Sequence, residues 1–165
     1  MKAITGLSAL GLSAALLSAA APAMALAVSE QATIKAPIEQ VWKQIAPFCA
    51  IADWHPAVEG CTLRKTGDTE ERDLALKGGG VIQERLMTVD AAKHRLLYTL
   101  LSGPLPVKNY SSTIQLSPVD ASNTRIIWSS SFEANGAPDA EARKTIAGIY
   151  TSGFEGLRKR LDSVQ

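Results

Sequence analysis

Two cysteines and two histidines are all that this 165-residue sequence offers to thiol or soft-metal chemistry. Cys49 and Cys61 form no Cys-x-x-Cys pair, and neither His55 nor His94 has a second histidine or cysteine placed to complete a ligand set. A zinc site and a dithiol redox centre are therefore not expected, and no metal or cofactor is. An excess of one charge is missing too. The 17 basic and 16 acidic residues are interspersed, so neither nucleic acid nor an anionic membrane surface is an expected partner. There is no nucleophile motif. Gly78-Gly79-Gly80 leads into a strand-like segment and not a helix, so it does not read as a phosphate-cradling loop.

Long apolar runs are absent except at the start. Met1 and Lys2 precede an apolar stretch from Ala3 to Ala21, Pro22 breaks it, and Ala23-Met24-Ala25 has the small-x-small pattern of a signal-peptidase site. The stretch is long enough to span a bilayer. Its content of Gly6, Ser8, Gly11, Ser13 and Ser18, and the cleavage pattern in place of a charged stop, favour a removed signal peptide over an anchor. The expected organisation is a signal peptide over 1–25 and a single domain over 26–165, periplasmic in a bacterium, with no membrane contact after cleavage. No lipobox-like cysteine lies near the cut. Of the basic residues only Lys2 falls in the leader, so the domain is formally neutral. In an oxidising compartment Cys49 and Cys61 are a candidate disulfide; two small buried thiols are the other reading.

Hydrophobic periodicity orders the rest. Val28–Ala36 alternates as a half-buried strand, and Pro37 opens a helix whose stripe is Ile38, Val41, Trp42 and Ile45. Pro47 ends it, and Cys49 to Trp54 reads as a short second helix or turn. Strands follow over Val58–Thr66, Arg72–Lys77, Val81–Asp90, His94–Ser102, Lys108–Leu116 and Arg125–Glu133, separated by Gly, Pro and Asp punctuation. A long helix begins at Ala137-Pro138-Asp139, with Ile146, Ile149, Tyr150, Phe154, Leu157 and Leu161 on its apolar side. Gly148, Gly153 and Gly156 interrupt it, which points either to close packing or to room left for something. Neither an amphipathic helix nor a one-sided sheet buries its apolar face alone. An α+β fold is expected, with an antiparallel sheet wrapped around the C-terminal helix and two short helices closing one end.

That order, with Phe48 to Cys61 (Trp54-His55-Pro56 inside it), Glu84-Arg85-Leu86 and Lys108-Asn109-Tyr110-Ser111-Ser112, resembles the START-like, helix-grip superfamily of polyketide cyclases, pollen-allergen-type binders and plant abscisic-acid receptors. The resemblance implies ligand-facing roles for His55, Glu84, Tyr110 and Ser112. His55 stands where the plant receptors carry a ligand-pairing lysine, Gly78-Gly79-Gly80-Val81 replaces their gate, and Pro104-Leu105-Pro106 corresponds to their latch. Hormone sensing is accordingly not implied. Size, the export signal and the Trp-His-Pro segment also resemble the periplasmic accessory proteins of bacterial methanol oxidation. That likeness implies a dehydrogenase or a cytochrome c as partner.

Two readings stand for each polar candidate. His55 either holds the loop before Pro56 or serves as an acid or base; His94, in a polar turn, is expected to be solvated. Glu84 shares a strand face with Ile82 and Leu86 and should point inward. There it either makes a hydrogen bond to Tyr110, Ser112 or water, or acts with a raised pKa. Together His55 and Glu84 would suit cyclisation or dehydration. Trp54, Tyr98, Trp128, Tyr150 and Phe154 are candidates to line a small hydrophobic or amphipathic ligand, Tyr150 and Phe154 foremost, whereas Trp42 reads as core.

Overall fold

The computed structural model describes residues 25–163, so the leader before Ala25 lies outside the described residues. Strand β1 (Leu26–Ile34) begins directly after the expected cleavage site. Helices α1 (Ile38–Ile45) and α2 (Ile51–Trp54) follow, then β2 (Val58–Thr66), β3 (Thr69–Leu76), β4 (Val81–Asp90), β5 (Arg95–Ser102), β6 (Val107–Asp120), β7 (Asn123–Ala134) and α3 (Asp139–Asp162). Pro37 and Pro138 each occupy the cap just before a helix, a position that needs no backbone N–H. The seven strands form one antiparallel sheet in the order β1-β7-β6-β5-β4-β3-β2. This is the expected α+β helix-grip architecture. The β6–β7 hairpin runs further than the alternation suggested, past Pro118, because Asp120 turns the chain by accepting from the Ser122 N–H and the Asn123 amide.

The inward positions read straight across the sheet. Arg72 and Leu74, Ile82 and Glu84, Leu96 and Tyr98, then the alternate residues from Tyr110 and from Thr124, are all buried. Helix α3 fills the concave side with Ile146, Tyr150, Phe154, Leu157 and Leu161. Two arginines lash it along β1: Arg143 Nη1 donates to Ala27 O and Arg158 to Thr33 O. The helix between them, about 22 Å at its usual rise, matches about 20 Å of strand.

The glycines of α3 resolve into two kinds. A Cβ on Gly153 would meet Trp128 at 2.8 Å and His55 at 3.0 Å, and one on Gly156 would collide with the Trp54 carbonyl. Those two glycines let the end of α2 lie against the helix, so they mark close packing and not spare room. Gly148 has nothing within 4 Å of the same position. Chemical denaturation should separate them. Gly148→Ala is expected to stabilise by roughly 0.5–1 kcal/mol through helix propensity, and Gly156→Ala to destabilise by about 1–3 kcal/mol through overpacking.

Candidate functional site

A partly open cavity of about 230 Å³ lies between α3 and the sheet. Its walls are mostly aliphatic, from Ile51, Val58, Leu74, Leu76, Ile82 and Ile149, with aromatic surface from Tyr98, Tyr110 and Trp128. His55, Glu84 and the phenols of Tyr98 and Tyr110 are the ionisable groups in the wall. At the rim, the half-buried Leu76, Leu105 and Ile149 and the exposed Ala57 come from four separate segments.

The structure brings His55, Glu84, Tyr98, Tyr110 and Trp128, five of the candidate ligand-facing residues, to one cavity. Trp54, Ser112, Tyr150 and Phe154 lie behind the wall instead. Tyr150 stacks flat on Trp128, with ring centroids 4.5 Å apart, and Phe154 tilts against the same indole at 6.3 Å. Trp128 therefore stands between the cavity and the two helix residues placed foremost as its lining. Trp54 is packed edge-on to Trp128 and spends its indole N–H on Gln44 O.

The polar groups in and behind this wall are committed to one another. Trp128 Nε1–H reaches Tyr98 Oη and Ser112 Oγ, both at 3.0 Å, and Ser112 Oγ donates to Ser129 O. The hydroxyls of Tyr110 and Tyr150 share a hydrogen bond of 2.6 Å. Burial raises the pKa of Tyr98, Tyr110 and Tyr150, so all three are neutral phenols.

His55 is held at both ring nitrogens. Nδ1 accepts the Ala57 N–H at 3.2 Å, which leaves Nε2 to carry the proton and donate to Ile149 O at 3.1 Å. The ring thereby fastens the α2–β2 corner to α3, and its tautomer follows from its partners. Desolvation lowers its pKa, with Arg72 acting in the same direction and the bond to Ile149 opposing it.

Glu84 is not bonded to Tyr110, Ser112 or Trp128. Its partner is Arg72, directly opposite in the β3–β4 register and not singled out from the sequence. Arg72 Nε and Nη2 both reach Glu84 Oε2, at 2.7 and 2.6 Å, while Nη1 donates to Phe48 O. The guanidinium lies 4.0 Å over the Phe48 ring and 5.3 Å from that of Tyr98. Burial pushes the Glu84 carboxyl above its ordinary range, and the Arg72 charge and hydrogen bonds pull it part of the way back. The available signal was the alternation of Arg72, Leu74 and Leu76, which puts a cation on an inward face.

The cysteines are joined: Cys49, next to Phe48, is bonded to Cys61 of β2. His94 departs from the expected free turn residue. Its Nε2 donates to Glu39 at 2.8 Å, its ring meets Trp42 edge-on, and its side chain is 18% exposed. Trp42 is core, as expected. Among the described residues no helix is long and apolar enough to cross a membrane.

Comparison with known proteins agrees with this geometry. Residues 25–162 match the family described as polyketide cyclase / dehydrase and lipid transport. XoxI from Bacillus cereus is 29% identical with a TM-score of 0.77, the match covering 84% of this chain and 96% of that one. The Zhui aromatase/cyclase from Streptomyces sp. R1128 is 20% identical with a TM-score of 0.66, covering 84% and 92%. A START superfamily protein from Mycobacterium smegmatis is 18% identical with a TM-score of 0.71, covering 84% and 99%. The last two are likenesses of fold alone. No curated protein matches the sequence.

Two tests follow from the buried charges. Arg72→Met alone should destabilise by about 3–5 kcal/mol, because it strands the Glu84 carboxylate. Arg72→Met with Glu84→Leu should recover much of that loss in the same urea titration. For His55 the folded state favours the neutral ring, whereas the unfolded chain takes up a proton near the ordinary value of 6.5. Stability that is complete above that pH is therefore lost as pH falls through 6.5 toward the depressed folded pKa. Urea midpoints measured on both sides of that window should fall with pH, and His55→Gln should flatten the slope.

Proposed function

Because the chain belongs to the polyketide cyclase / dehydrase and lipid transport family, we propose that it is an exported, non-catalytic binding protein that holds a small hydrophobic or amphipathic molecule between α3 and the sheet. The observation that carries this reading is the state of the cavity's polar groups. Both His55 nitrogens are engaged by backbone, Tyr110 Oη is bonded to Tyr150 Oη, Tyr98 Oη accepts from Trp128, and Glu84 is paired with Arg72. Such a wall suits containment, because each of these polar groups is held in place by a partner within the protein. Glu84 supplies one polar point for orientation: Arg72 occupies Oε2, and no hydrogen bond among the described residues engages Oε1.

The cavity sets the scale of the cargo. About 150 Å³ of apolar cavity suffices for benzene, so about 230 Å³ suits a compact molecule of roughly nine or ten non-hydrogen atoms. Within this reading the protein serves periplasmic methanol oxidation as an accessory, with a dehydrogenase or cytochrome c docking at the cavity rim. The similarity to a protein named XoxI and the signal-peptide pattern support that placement. The second reading is a cyclase- or dehydratase-like enzyme with His55 and Glu84 as acid and base. It is favoured by their facing one cavity and by the fold shared with an aromatase/cyclase.

Native mass spectrometry of protein purified from periplasm is expected to show a bound small molecule. A reproducibly empty protein would count against carriage. A pull-down from methanol-grown cells that recovers neither dehydrogenase nor cytochrome would remove the accessory role. Conversion of the bound molecule by the wild type but not by Glu84→Gln would replace the binding reading with the enzymatic one.

A further inference from the structure

The sheet is forked between β5 and β6. Their ladder ends at Thr99 and Ser111. Beyond it β5 continues to Ser102 paired with β4, and β6 runs back to Val107 paired with β7. Thr99 Oγ1 closes the crotch by donating to Tyr110 O at 2.6 Å. Asn109, with φ of 53°, and the register shift between Lys108 and Ser111 turn β6 aside at that point. The fork holds a second cavity of about 500 Å³, larger than the inner one, walled by Thr99 to Gly103, Leu105, Val107 to Asn109 and Asn135.

Leu105 is the one residue common to the walls of both cavities. Its loop is anchored on either side of it. A Cβ on Gly103 would meet Ile82 at 3.1 Å, one on Gly80 would meet Pro104 at 3.4 Å, and Pro106 O accepts the Asn135 N–H. The half-buried Leu105 side chain is thus the partition between an inner apolar chamber and an outer polar one.

The outer chamber has polarity without net charge. In an antiparallel sheet successive backbone groups point to alternate sides, so two strands that have parted direct N–H and C=O groups into the gap. Lys108 is paired with Glu133 at 3.2 Å, and Glu133 also accepts from Asn109. An anionic head would find that cation already matched. We propose that the β5–β6 fork is the head-group site for an uncharged single-chain amphiphile, a medium-chain primary amide or alcohol, whose tail passes Leu105 into the inner cavity. The tail length that the inner volume accepts is roughly six to nine carbons. This rests on the reading of the inner cavity as a container for apolar cargo and adds to it the polar end of that cargo.

The two readings separate in amide-detected NMR titrations of the folded protein with octanamide, octanoate and toluene. Octanamide is expected to shift the Trp128 indole N–H at the inner wall together with the backbone amides of Leu101, Ser102 and Asn109. Toluene is expected to shift Trp128 alone. Ser102 is exposed at the fork, and Ser102→Trp should weaken octanamide by about fivefold or more while leaving toluene within about twofold. A response to octanamide confined to Trp128, or equal weakening of both probes by Ser102→Trp, overturns the head-group site and leaves the inner container standing. Octanoate binding as tightly as octanamide overturns the uncharged head. No Trp128 response to any probe overturns both readings.

Discussion

The buried pair of Arg72 and Glu84 is the interaction around which this cavity is organised. A guanidinium at an inward sheet position must be matched or it unfolds the strand that carries it. Here it is matched from three directions: the Glu84 carboxylate opposite it on β4, the Phe48 carbonyl above it, and the faces of Phe48 and Tyr98 around it. One side chain therefore fixes the β3–β4 register, the path of the α1–α2 connection and the orientation of a cavity-facing acid. The disulfide from Cys49 holds the same connection, so a covalent bond and a charge interaction secure adjacent residues. The other polar wall groups depend on this arrangement too, since Tyr98 lies beneath the Arg72 charge and also accepts from Trp128.

Most of the fold was legible because its signals are local. Alternation marked the strands, proline marked both major helix starts, and the stripe from Ile146 to Leu161 marked the helix that fills the grip. The inward facing of Glu84, Tyr98, Tyr110 and Trp128 was legible from strand alternation, and His55 came from the resemblance of the Trp54-His55-Pro56 segment. The misplacements share a physical cause, which is that a sequence shows a side chain's face but not what stands in front of it. Tyr150 and Phe154 do face the sheet, yet Trp128 covers them. The partner of Glu84 depends on a cross-strand register that no spacing along one strand reveals. The same limit applies to the β5–β6 fork, which exists because two strands stop pairing, an event without a sequence marker beyond the Gly103-Pro104 break.

The C-terminal helix shows how composition becomes position. Its two tightly packed glycines cost helix propensity, but they bring the α2 corner close enough for the His55 ring to reach Ile149 O. With Nδ1 accepting from Ala57 and Nε2 donating to Ile149, the ring becomes a fixed part of the cavity wall. The absence of side chains at Gly153 and Gly156 is thus linked to the fixed position of the His55 ring.

Strand β2 lies at the free edge of the sheet, and of its nine residues only Val58 is buried. Such a strand has little apolar alternation to specify its alignment, and an exposed edge is a template on which another chain can add a strand. The bond from Cys61 to Cys49 supplies the alignment that burial does not, because a slip by one residue would turn Cys61 to the opposite face. The disulfide thereby pins an edge strand of the kind on which a further strand can add. A chain held reduced would keep the same buried core but lose the covalent hold on that edge.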